Sequence, residues 1–168
     1  MKKVALLVEN IYEDIELLWP LYRLKEEGFQ VDLIGTEKET VYKGKHGVPT
    51  KSDYASKDIK AEDYDAVVIP GGYSPDNMRN CEATKKFVKD MCDLNNIVAA
   101  VCHGPWMMAS CCDIEGKEIT SYHTIKDDLI NAGAKYVDKE VVVSDNLITS
   151  RNPNDLIAFT TEIIKKLK

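Results

Sequence analysis

The chain alternates short, continuous apolar runs with longer segments that place apolar residues at helical spacing. The apolar runs cover residues 4–8, 31–34, 66–69 and 97–101. Such short, uninterrupted apolar runs are typical of strands that are buried on both faces. The helical segments that lie between and after them cover residues 13–27, 82–94, 126–132 and 153–167. Strands that alternate with helices predict a mostly parallel central sheet with helices on both of its faces.

Shorter segments complete this plan. Residues 43–49 contain two glycines and a proline, and they predict a turn between two short strands. Residues 141–143 and 147–149 predict strands on either side of a second turn. A chain of 168 residues is expected to form one domain, since hydrophobic cores usually divide only beyond roughly 250 residues. We therefore expect a single domain, 1–168, with a flavodoxin-like three-layer α/β sandwich fold.

The charge and the hydropathy pattern exclude several kinds of partner. Lys and Arg number 22 and Asp and Glu number 28, so the net charge is −6, which argues against a basic nucleic-acid footprint. No apolar run approaches the ~20 residues needed to cross a bilayer. The apolar run after Lys2 and Lys3 ends at Glu9, too early for a signal peptide. We expect a cytoplasmic protein without a membrane or nucleic-acid partner.

Five cysteines are an odd number, so they cannot all pair within the chain. In the cytoplasm thiols stay reduced, and most free cysteines are small packing residues. That role is predicted for Cys81, Cys92, Cys111 and Cys112. No pair has the C-x-x-C spacing of a zinc or redox site, and the glycines at 71–72 lack the Lys-Ser/Thr of a phosphate loop. We therefore expect no metal and no nucleotide cofactor.

The remaining cysteine lies where the fourth predicted strand runs into a turn. Residues 100–104, Ala-Val-Cys-His-Gly, have the small-x-nucleophile-x-small form of a nucleophile elbow with Cys102 at its centre. The N-terminus of a following helix would lower the pKa of such a thiol and offer N–H groups to an oxyanion. The alternative is that Cys102 is a buried packing residue. The elbow pattern favours the reactive thiol.

Other candidates follow neighbouring strands, whose carboxyl ends meet at one edge of the sheet. His103 is either the base for the thiol or a helix-start residue bonded to a carbonyl. Glu13 either stabilises a helix N-terminus or, when protonated, donates a hydrogen bond to the thiolate. Asp76 is expected in a turn or as a helix cap. Tyr122 and His123 are candidates for a substrate pocket at this edge, with core or surface roles as alternatives.

A series of segments in this order resembles the PfpI-type intracellular cysteine protease/deglycase family, within the class I glutamine amidotransferase-like superfamily. The matching segments are 12–16, 44–47, 69–72, 100–105, 125–128, 131–133, 140–143 and 149–151. Each is weak alone, but together they span the chain and are specific. The resemblance implies the flavodoxin-like fold and a reactive Cys102. It also implies that His103 is the catalytic partner of this thiol and that Glu13 is the carboxyl that contacts it.

The resemblance further implies a site that is shared between subunits. In the protease branch, a glutamate from a neighbouring subunit completes a triad with the histidine, and Asp76 occupies the matching position here. The aspartate is one methylene shorter, which departs from that branch. The resemblance also implies oxyanion donors at the N–H groups of Gly72 and His103. It implies a homo-oligomer, either a dimer or a larger ring.

In function, the resemblance implies a cysteine-dependent hydrolase that acts on peptides or on glyoxal and methylglyoxal adducts, without a cofactor. Two alternatives stay open. One is a cofactor-free glyoxalase that converts methylglyoxal to lactate, and the other is a redox stress sensor or chaperone with an oxidisable Cys102. A glutaminase-like amidotransferase is less favoured, because it would need a late histidine and none follows His123.

Overall fold

The computed structural model describes residues 1–168 and has a central seven-stranded sheet between two layers of helices. The strands are β1 Lys3–Leu7, β2 Gln30–Gly35, β3 Val41–Lys43, β4 Pro49–Lys51, β5 Tyr54–Ala55, β6 Ala66–Ile69, β7 Ile97–Val101, β8 Glu118–Ile119, β9 Lys135–Tyr136, β10 Val141–Ser144 and β11 Leu147–Ser150. The α-helices are α1 Asp14–Glu26, α2 Ser74–Arg79, α3 Glu82–Asp93, α4 Pro105–Cys111, α5 Lys126–Asn131 and α6 Leu156–Leu167. Short 3-10 helices span Ser56–Asp58, Ala61–Asp63, His123–Ile125 and Pro153–Asp155. None of the helices has both the length and the apolar character required to cross a bilayer.

The strands of the central sheet lie in the order β10-β11-β7-β6-β1-β2-β5. Neighbouring strands are parallel except for the antiparallel pair β10 and β11. Outside this sheet, β3 and β4 form an antiparallel hairpin, and β8 pairs with β9 in parallel. A mostly parallel sheet covered by helices confirms the predicted α/β class, and the predicted turn at 43–49 connects the hairpin.

Alternate side chains of the central strands pack into two separate cores. On one face Leu6 of β1 packs with Leu17 of α1 and Phe159 of α6. On the other face Leu7 of the same strand belongs to a cluster with Phe87 of α3. Because successive side chains along a strand point to opposite faces, both faces of a doubly covered strand must be apolar. The uninterrupted apolar runs in the sequence meet this requirement.

The predicted element boundaries agree best with the structure at the centre of the sheet, where β6 and β7 span 66–69 and 97–101 as predicted. The last predicted helix, 153–167, starts as a 3-10 turn and becomes α-helical at Leu156. The short helix α2 lies where the sequence favoured a turn. Its Pro75 fits in the first turn of a helix, since backbone N–H groups there have no partner within the helix.

Two cysteines that were predicted as packing residues are instead bonded to each other. Cys92 on α3 and Cys112, directly after α4, form a disulfide with their Cα atoms 5.8 Å apart. They lie 20 positions apart in the sequence, and the packing of α3 against α4 brings them together. Cys81, Cys102 and Cys111 are free. The expectation that every thiol stays reduced is therefore wrong for this pair.

The strands β7, β6 and β1 are parallel neighbours, so the loops that follow them open at one edge of the sheet, as predicted. Gly71, in the loop after β6, shows how closely these loops pack. A Cβ atom at Gly71 would lie 2.6 Å from Oε2 of Glu16 and 2.7 Å from Cβ of Cys102. Only glycine allows this loop to lie between α1 and the turn after β7.

Candidate active site

Cys102 lies in the sharp turn between β7 and α4 and has a left-handed backbone with a φ of 62°. Non-glycine residues seldom adopt this conformation, and such strain concentrates at functional sites. The N–H of Gly104 donates to the carbonyl of Val101 at 2.8 Å, and a Cβ atom at Gly104 would lie 2.6 Å from the carbonyl oxygen of Ile69. The small residue after the nucleophile is thus a steric requirement of the turn.

The carboxyl group beside the thiol belongs to Glu16, which the sequence analysis did not single out. Glu16 is fully buried, and its Oε2 accepts a hydrogen bond from the N–H of Gly71 at 2.8 Å. Oε1 has no hydrogen-bond partner of normal geometry. Burial, and to a lesser degree the charge of Glu13, raise the pKa of Glu16 to about 7, while the Gly71 N–H and the Cys102 thiol favour the carboxylate.

The expectation that Glu13 contacts the thiol is not met in this structure. Glu13 precedes α1, forms an ion pair with Lys45 at 3.4 Å, and lies 3.1 Å from Nε2 of His46. Glu16 lies about one helical turn further along, on the buried face of α1 with Leu17, and therefore points to the sheet edge. This position on the apolar helix face is the sequence signal that distinguishes the two glutamates.

Glu13, Asp14 and His46 offer possible metal-ligand atoms within 4.8 Å of one another. Both oxygens of Asp14 already accept backbone hydrogen bonds, from His46 at 2.8 Å and from Val48 at 3.0 Å. Glu13 is neutralised by Lys45. These bonds fasten the start of α1 to the β3–β4 hairpin.

The pKa of the Cys102 thiol shifts in the direction opposite to the one predicted. Burial and the neighbouring charge of Glu16 raise it to about 12. The N–H groups of Gly72 and His103 point at the sulfur and favour the thiolate, as the elbow pattern predicted. Desolvation outweighs them, because only 8% of Cys102 is exposed. The resting thiol is therefore protonated and needs a base.

His103 is placed to be that base. Its Nδ1 lies 3.3 Å from the sulfur of Cys102, and its Nε2 lies 3.3 Å from Oγ1 of Thr124. The ring stacks on Tyr122 with centroids 5.2 Å apart and meets the edge of Trp106 at 5.0 Å. Burial lowers the pKa of His103, so the imidazole is neutral near pH 7 and can accept a proton.

Tyr122 and His123, the two candidate pocket residues, differ in position. Tyr122 is half-buried, and its N–H donates to the carbonyl of Cys102 at 2.9 Å. His123 is exposed and lies against the outer side of Tyr122, with centroids 4.5 Å apart. Thr124 and Trp106, which contact His103, were not predicted, because only the folded chain brings these parts of the sequence to the elbow.

Asp76 does not reach His103 within the chain. It lies on α2, is half-exposed, and sits beside the hydroxyl of Tyr73, whose pKa it raises. A contact between Asp76 and His103 would have to come from a second copy of the chain.

A cleft of about 370 Å³ opens over the thiol. Its lining residues are Ile11, Glu13, Glu16, Lys45, Gly72, Tyr73, Cys102, His103, Tyr122 and Pro153. The cleft is thus walled by loops from several strands, and apolar and aromatic side chains line it together with the charged side chains of Glu13, Glu16 and Lys45. The sequence-predicted residues Cys102, His103, Glu13, Gly72 and Tyr122 lie together here, whereas His123 and Asp76 do not line it.

The fold and this site define a class: a parallel α/β domain with a cysteine in a strained elbow, next to a histidine and a buried glutamate. Comparison with known proteins gives the family. The DJ-1/PfpI family model matches residues 2–166, and the chain belongs to this family.

Several relatives resemble the chain along its full length. A putative cysteine protease, YraA of Bacillus subtilis, is 45% identical over 99% of each chain. The deglycase PfpI of Pyrococcus furiosus is 40% identical, again over 99% of each chain. A solved two-domain protein from Anabaena variabilis, with DJ-1/ThiJ/PfpI-like and ferritin-like domains, matches with a TM-score of 0.97 and 44% identity. That match covers 99% of this chain and 48% of the Anabaena chain.

Proposed function

We propose that the protein is a cysteine-dependent hydrolase that acts on glycated or peptide substrates through the sulfur of Cys102. The observation that carries the proposal is the 3.3 Å contact between this sulfur and Nδ1 of His103, at the base of an open cleft. Relatives that are named deglycase and putative cysteine protease support a hydrolase-type enzyme.

The geometry fits a base-assisted attack. As the sulfur of Cys102 bonds to the electrophilic carbon of a bound carbonyl group, Nδ1 of His103 takes the thiol proton and the carbonyl electron pair moves to oxygen. The N–H groups of Gly72 and His103 point at the sulfur, and they are the proposed donors to this oxyanion. For a peptide bond, collapse of the adduct breaks the C–N bond, and the amine leaves with the proton from His103 while a thioester remains on Cys102. Water, deprotonated by the same imidazole, then attacks the thioester, the C–S bond breaks, the carboxylic acid leaves, and the sulfur regains the proton from His103.

Glu16 tunes this step through its protonation state. With a pKa of about 7, it is part protonated near neutral pH. The protonated form removes a negative charge from beside the sulfur and offers an O–H to the developing thiolate. The carboxyl contact that the family resemblance assigned to Glu13 is thus proposed for Glu16.

A homo-oligomer with a shared site is part of the proposal. The α1 residues Ile15, Trp19 and Tyr22 form an exposed apolar surface, which a second copy of the chain would cover. For this assembly we propose the pairing that the family resemblance implies, Asp76 of one copy with His103 of the other. A cytoplasmic location belongs to the same proposal, although bonds such as Cys92–Cys112 are rare in that reducing compartment.

The redox-sensor alternative fits the site less well. Peroxide reacts with thiolates, whereas burial and Glu16 keep the Cys102 thiol protonated at neutral pH. The glyoxalase alternative uses the same first step and differs in its product, because methylglyoxal would leave as lactate.

The test is a turnover assay of the purified protein with methylglyoxal-modified peptides, unmodified casein peptides and free methylglyoxal. We expect Cys102→Ala to abolish release of amine or peptide. Cys111→Ala, which removes another free thiol of the same chain, is the matched control and should keep full turnover. Full turnover in Cys102→Ala would contradict the proposal, and lactate as the sole product would favour the glyoxalase.

A further inference from the structure

Ile11, in the loop between β1 and α1, has a backbone conformation that its side chain disfavours. Its φ is 65°, in the left-handed region, where a β-branched residue is a genuine outlier. The other non-glycine residues with such a backbone are Cys102 and three polar, exposed residues: Glu39, Asn95 and Asp145. Of these five, only Ile11 and Cys102 line the cleft. The strain at Ile11 is therefore located at the candidate active site.

Backbone hydrogen bonds on both sides hold Ile11 in this conformation. Its N–H donates to the carbonyl of Lys43 at 2.8 Å, and its own carbonyl accepts from the N–H of Tyr73 at 2.8 Å. A Cβ atom at Gly72 would lie 2.4 Å from the carbonyl oxygen of Ile11, so the two loops are in close contact. Glycine or asparagine would meet this backbone requirement with less strain. The reason for an isoleucine must therefore lie in its side chain.

The side chain of Ile11 does not serve the hydrophobic cores. It is 46% exposed and belongs to neither of the two core clusters. It lines the cleft over Cys102 instead, together with the exposed Tyr73. Apolar side chains that line a cleft become favourable contacts when a ligand removes them from water.

The charged side chains of the cleft leave the apolar ones to recognise a neighbouring group. Glu13 and Lys45 form an ion pair at 3.4 Å, so their charges largely offset each other. Glu16 is buried beside the sulfur of Cys102. A charged group next to the reacting carbonyl would thus find no free opposite charge, whereas an apolar group would find Ile11.

We propose that Ile11 is a specificity-determining residue that packs against an apolar group adjoining the reacting carbonyl of the substrate. The proposal rests on the proposed function and narrows its substrates to carbonyl compounds with an apolar neighbour, such as a peptide with a leucine side chain beside the reacting carbonyl.

This role is compatible with a site shared between two copies of the chain. Ile11 follows β1 and His103 follows β7, and β6 lies between these strands in the sheet. Neighbouring strands are about 4.8 Å apart, so the two loops start about two strand spacings from each other. The proposed pairing of His103 with Asp76 of a second copy therefore belongs to the β7 side of the cleft. The contact between Ile11 and the substrate belongs to the β1 side.

Peptide aldehydes test this contact without turnover. The thiol of Cys102 adds to the aldehyde carbon: the C–S bond forms, the C=O π bond breaks and the thiol proton passes to the oxygen, which gives a reversible hemithioacetal. Three aldehydes should differ only in the side chain beside the aldehyde, which is hydrogen, isobutyl or carboxymethyl. By calorimetry, we expect the wild-type protein to bind the isobutyl compound about 10-fold more tightly than the other two. Equal affinity for all three would overturn the proposal.

Variants at position 11 show whether Ile11 causes this preference. In Ile11→Gly and Ile11→Asn the preference should fall to about 2-fold, and in Ile11→Val it should stay within about 3-fold of the wild-type value. Both Gly and Asn tolerate a left-handed backbone, so the urea midpoint of these variants should not fall. Ile130→Asn, at a 44% exposed isoleucine on α5, is the matched control and should keep the preference.

Two results in these variants would refute the role. One is an unchanged preference in Ile11→Gly. The other is an equal loss of affinity for all three aldehydes together with a lower urea midpoint, which would mean that Ile11 only supports the loop. Light scattering adds a check on the assembly: a changed oligomer mass in Ile11→Asn with an unchanged preference would show that a second copy covers Ile11 instead.

Turnover of the matching peptide amides separates the proposal from its premise. In Ile11→Gly, kcat/KM should fall about 10-fold for the isobutyl substrate and stay within about 2-fold for the unsubstituted one. If turnover depends on Cys102 but shows no preference for the apolar neighbour, the hydrolase stands and the role of Ile11 is refuted. If the aldehydes bind with the expected preference but neither amides nor methylglyoxal-modified peptides are turned over, the contact with Ile11 stands and the hydrolase fails.

Discussion

Cys102 and Cys111 are free thiols just before α4 and at its end. Burial is the largest cause of a raised pKa in both, to about 12 and about 11. They differ in their neighbours. Cys102 has a left-handed backbone, two N–H groups aimed at its sulfur and an imidazole at 3.3 Å. Around Cys111 the only such influences are the charges of surface side chains, and the charge of Lys85 has the largest effect on the thiol pKa.

The raised pKa of the resting thiol therefore does not distinguish Cys102 from Cys111. Both thiols are protonated at neutral pH. What distinguishes Cys102 is the imidazole in contact with its sulfur and the N–H groups directed at it, which in the proposed function take the thiol proton and stabilise the charge that develops. Removing these neighbours, or altering the other cysteines around α4, should therefore have effects of different size.

The largest expected effect comes from removing the base. His103→Gln should lower kcat by about 10²–10⁴-fold, the usual range for loss of a general base. The reactivity of Cys111 should not change, because that thiol has no imidazole neighbour. Steady-state turnover and iodoacetamide labelling of both thiols, localised by mass spectrometry, measure the two effects. Turnover within about 3-fold of the wild type in a variant with an unchanged unfolding midpoint would contradict this role.

The next effect is on stability and concerns Glu16. Its pKa is raised from 4.5 to about 7 in the folded state, so its contribution to stability is full below pH 4.5 and is lost as the pH rises through 7. Relative to Glu16→Gln, the wild type should therefore lose about 3 kcal/mol of unfolding free energy across this window.

Urea unfolding at pH 4.5, 6 and 8 measures the difference between wild type and Glu16→Gln. The exposed Glu118→Gln serves as the matched control and should show no such trend. A constant difference across the three pH values would mean that Glu16 is not buried as described. The same Gln variant should also label faster at Cys102, because it lacks the charge that raises the thiol pKa.

Removing the disulfide at the other end of α4 should have a smaller effect, mainly on stability. The double variant Cys92→Ser, Cys112→Ser should lose about 3 kcal/mol or less of stability, as expected for opening a loop of this size. Its kcat should stay near the wild-type value wherever it is folded, because the bond lies at the far end of α4 from the elbow. Cys111→Ser is the control for a nearby change of thiol to hydroxyl. A strong loss of kcat in the folded double variant would show that the two ends of α4 are coupled.

Much of the fold and of the candidate site could be predicted where the signal lies in a few consecutive residues. The apolar runs placed β6 and β7, and the small residues around Cys102 placed the elbow. The remaining features depend on contacts between segments that lie apart in the sequence or on burial in the folded chain. Glu13 and Glu16 are both acidic residues near one helix start, and the folded chain places Glu16, on the buried face of α1, beside the thiol. The Cys92–Cys112 bond depends on the packing of two helices, which no spacing rule encodes.

The prediction of a lowered thiol pKa failed for a physical reason. The sequence shows the N–H donors of an elbow, but it does not show how deeply the sulfur is buried or that a glutamate is buried beside it. These two effects outweigh the donors at Cys102. Thr124 was missed for a similar reason, since it lies 21 positions from His103 and meets it only in the folded chain.

The central claim is that the sulfur of Cys102 forms the bond to the substrate, and trapping that bond tests it most directly. Acid quenching during turnover, followed by peptide mass spectrometry, should find the substrate-derived mass on Cys102. The adduct should persist in Cys111→Ala and be absent in Cys102→Ala. A substrate-derived adduct on Cys81 or Cys111, or continued turnover with none on Cys102, would contradict the account.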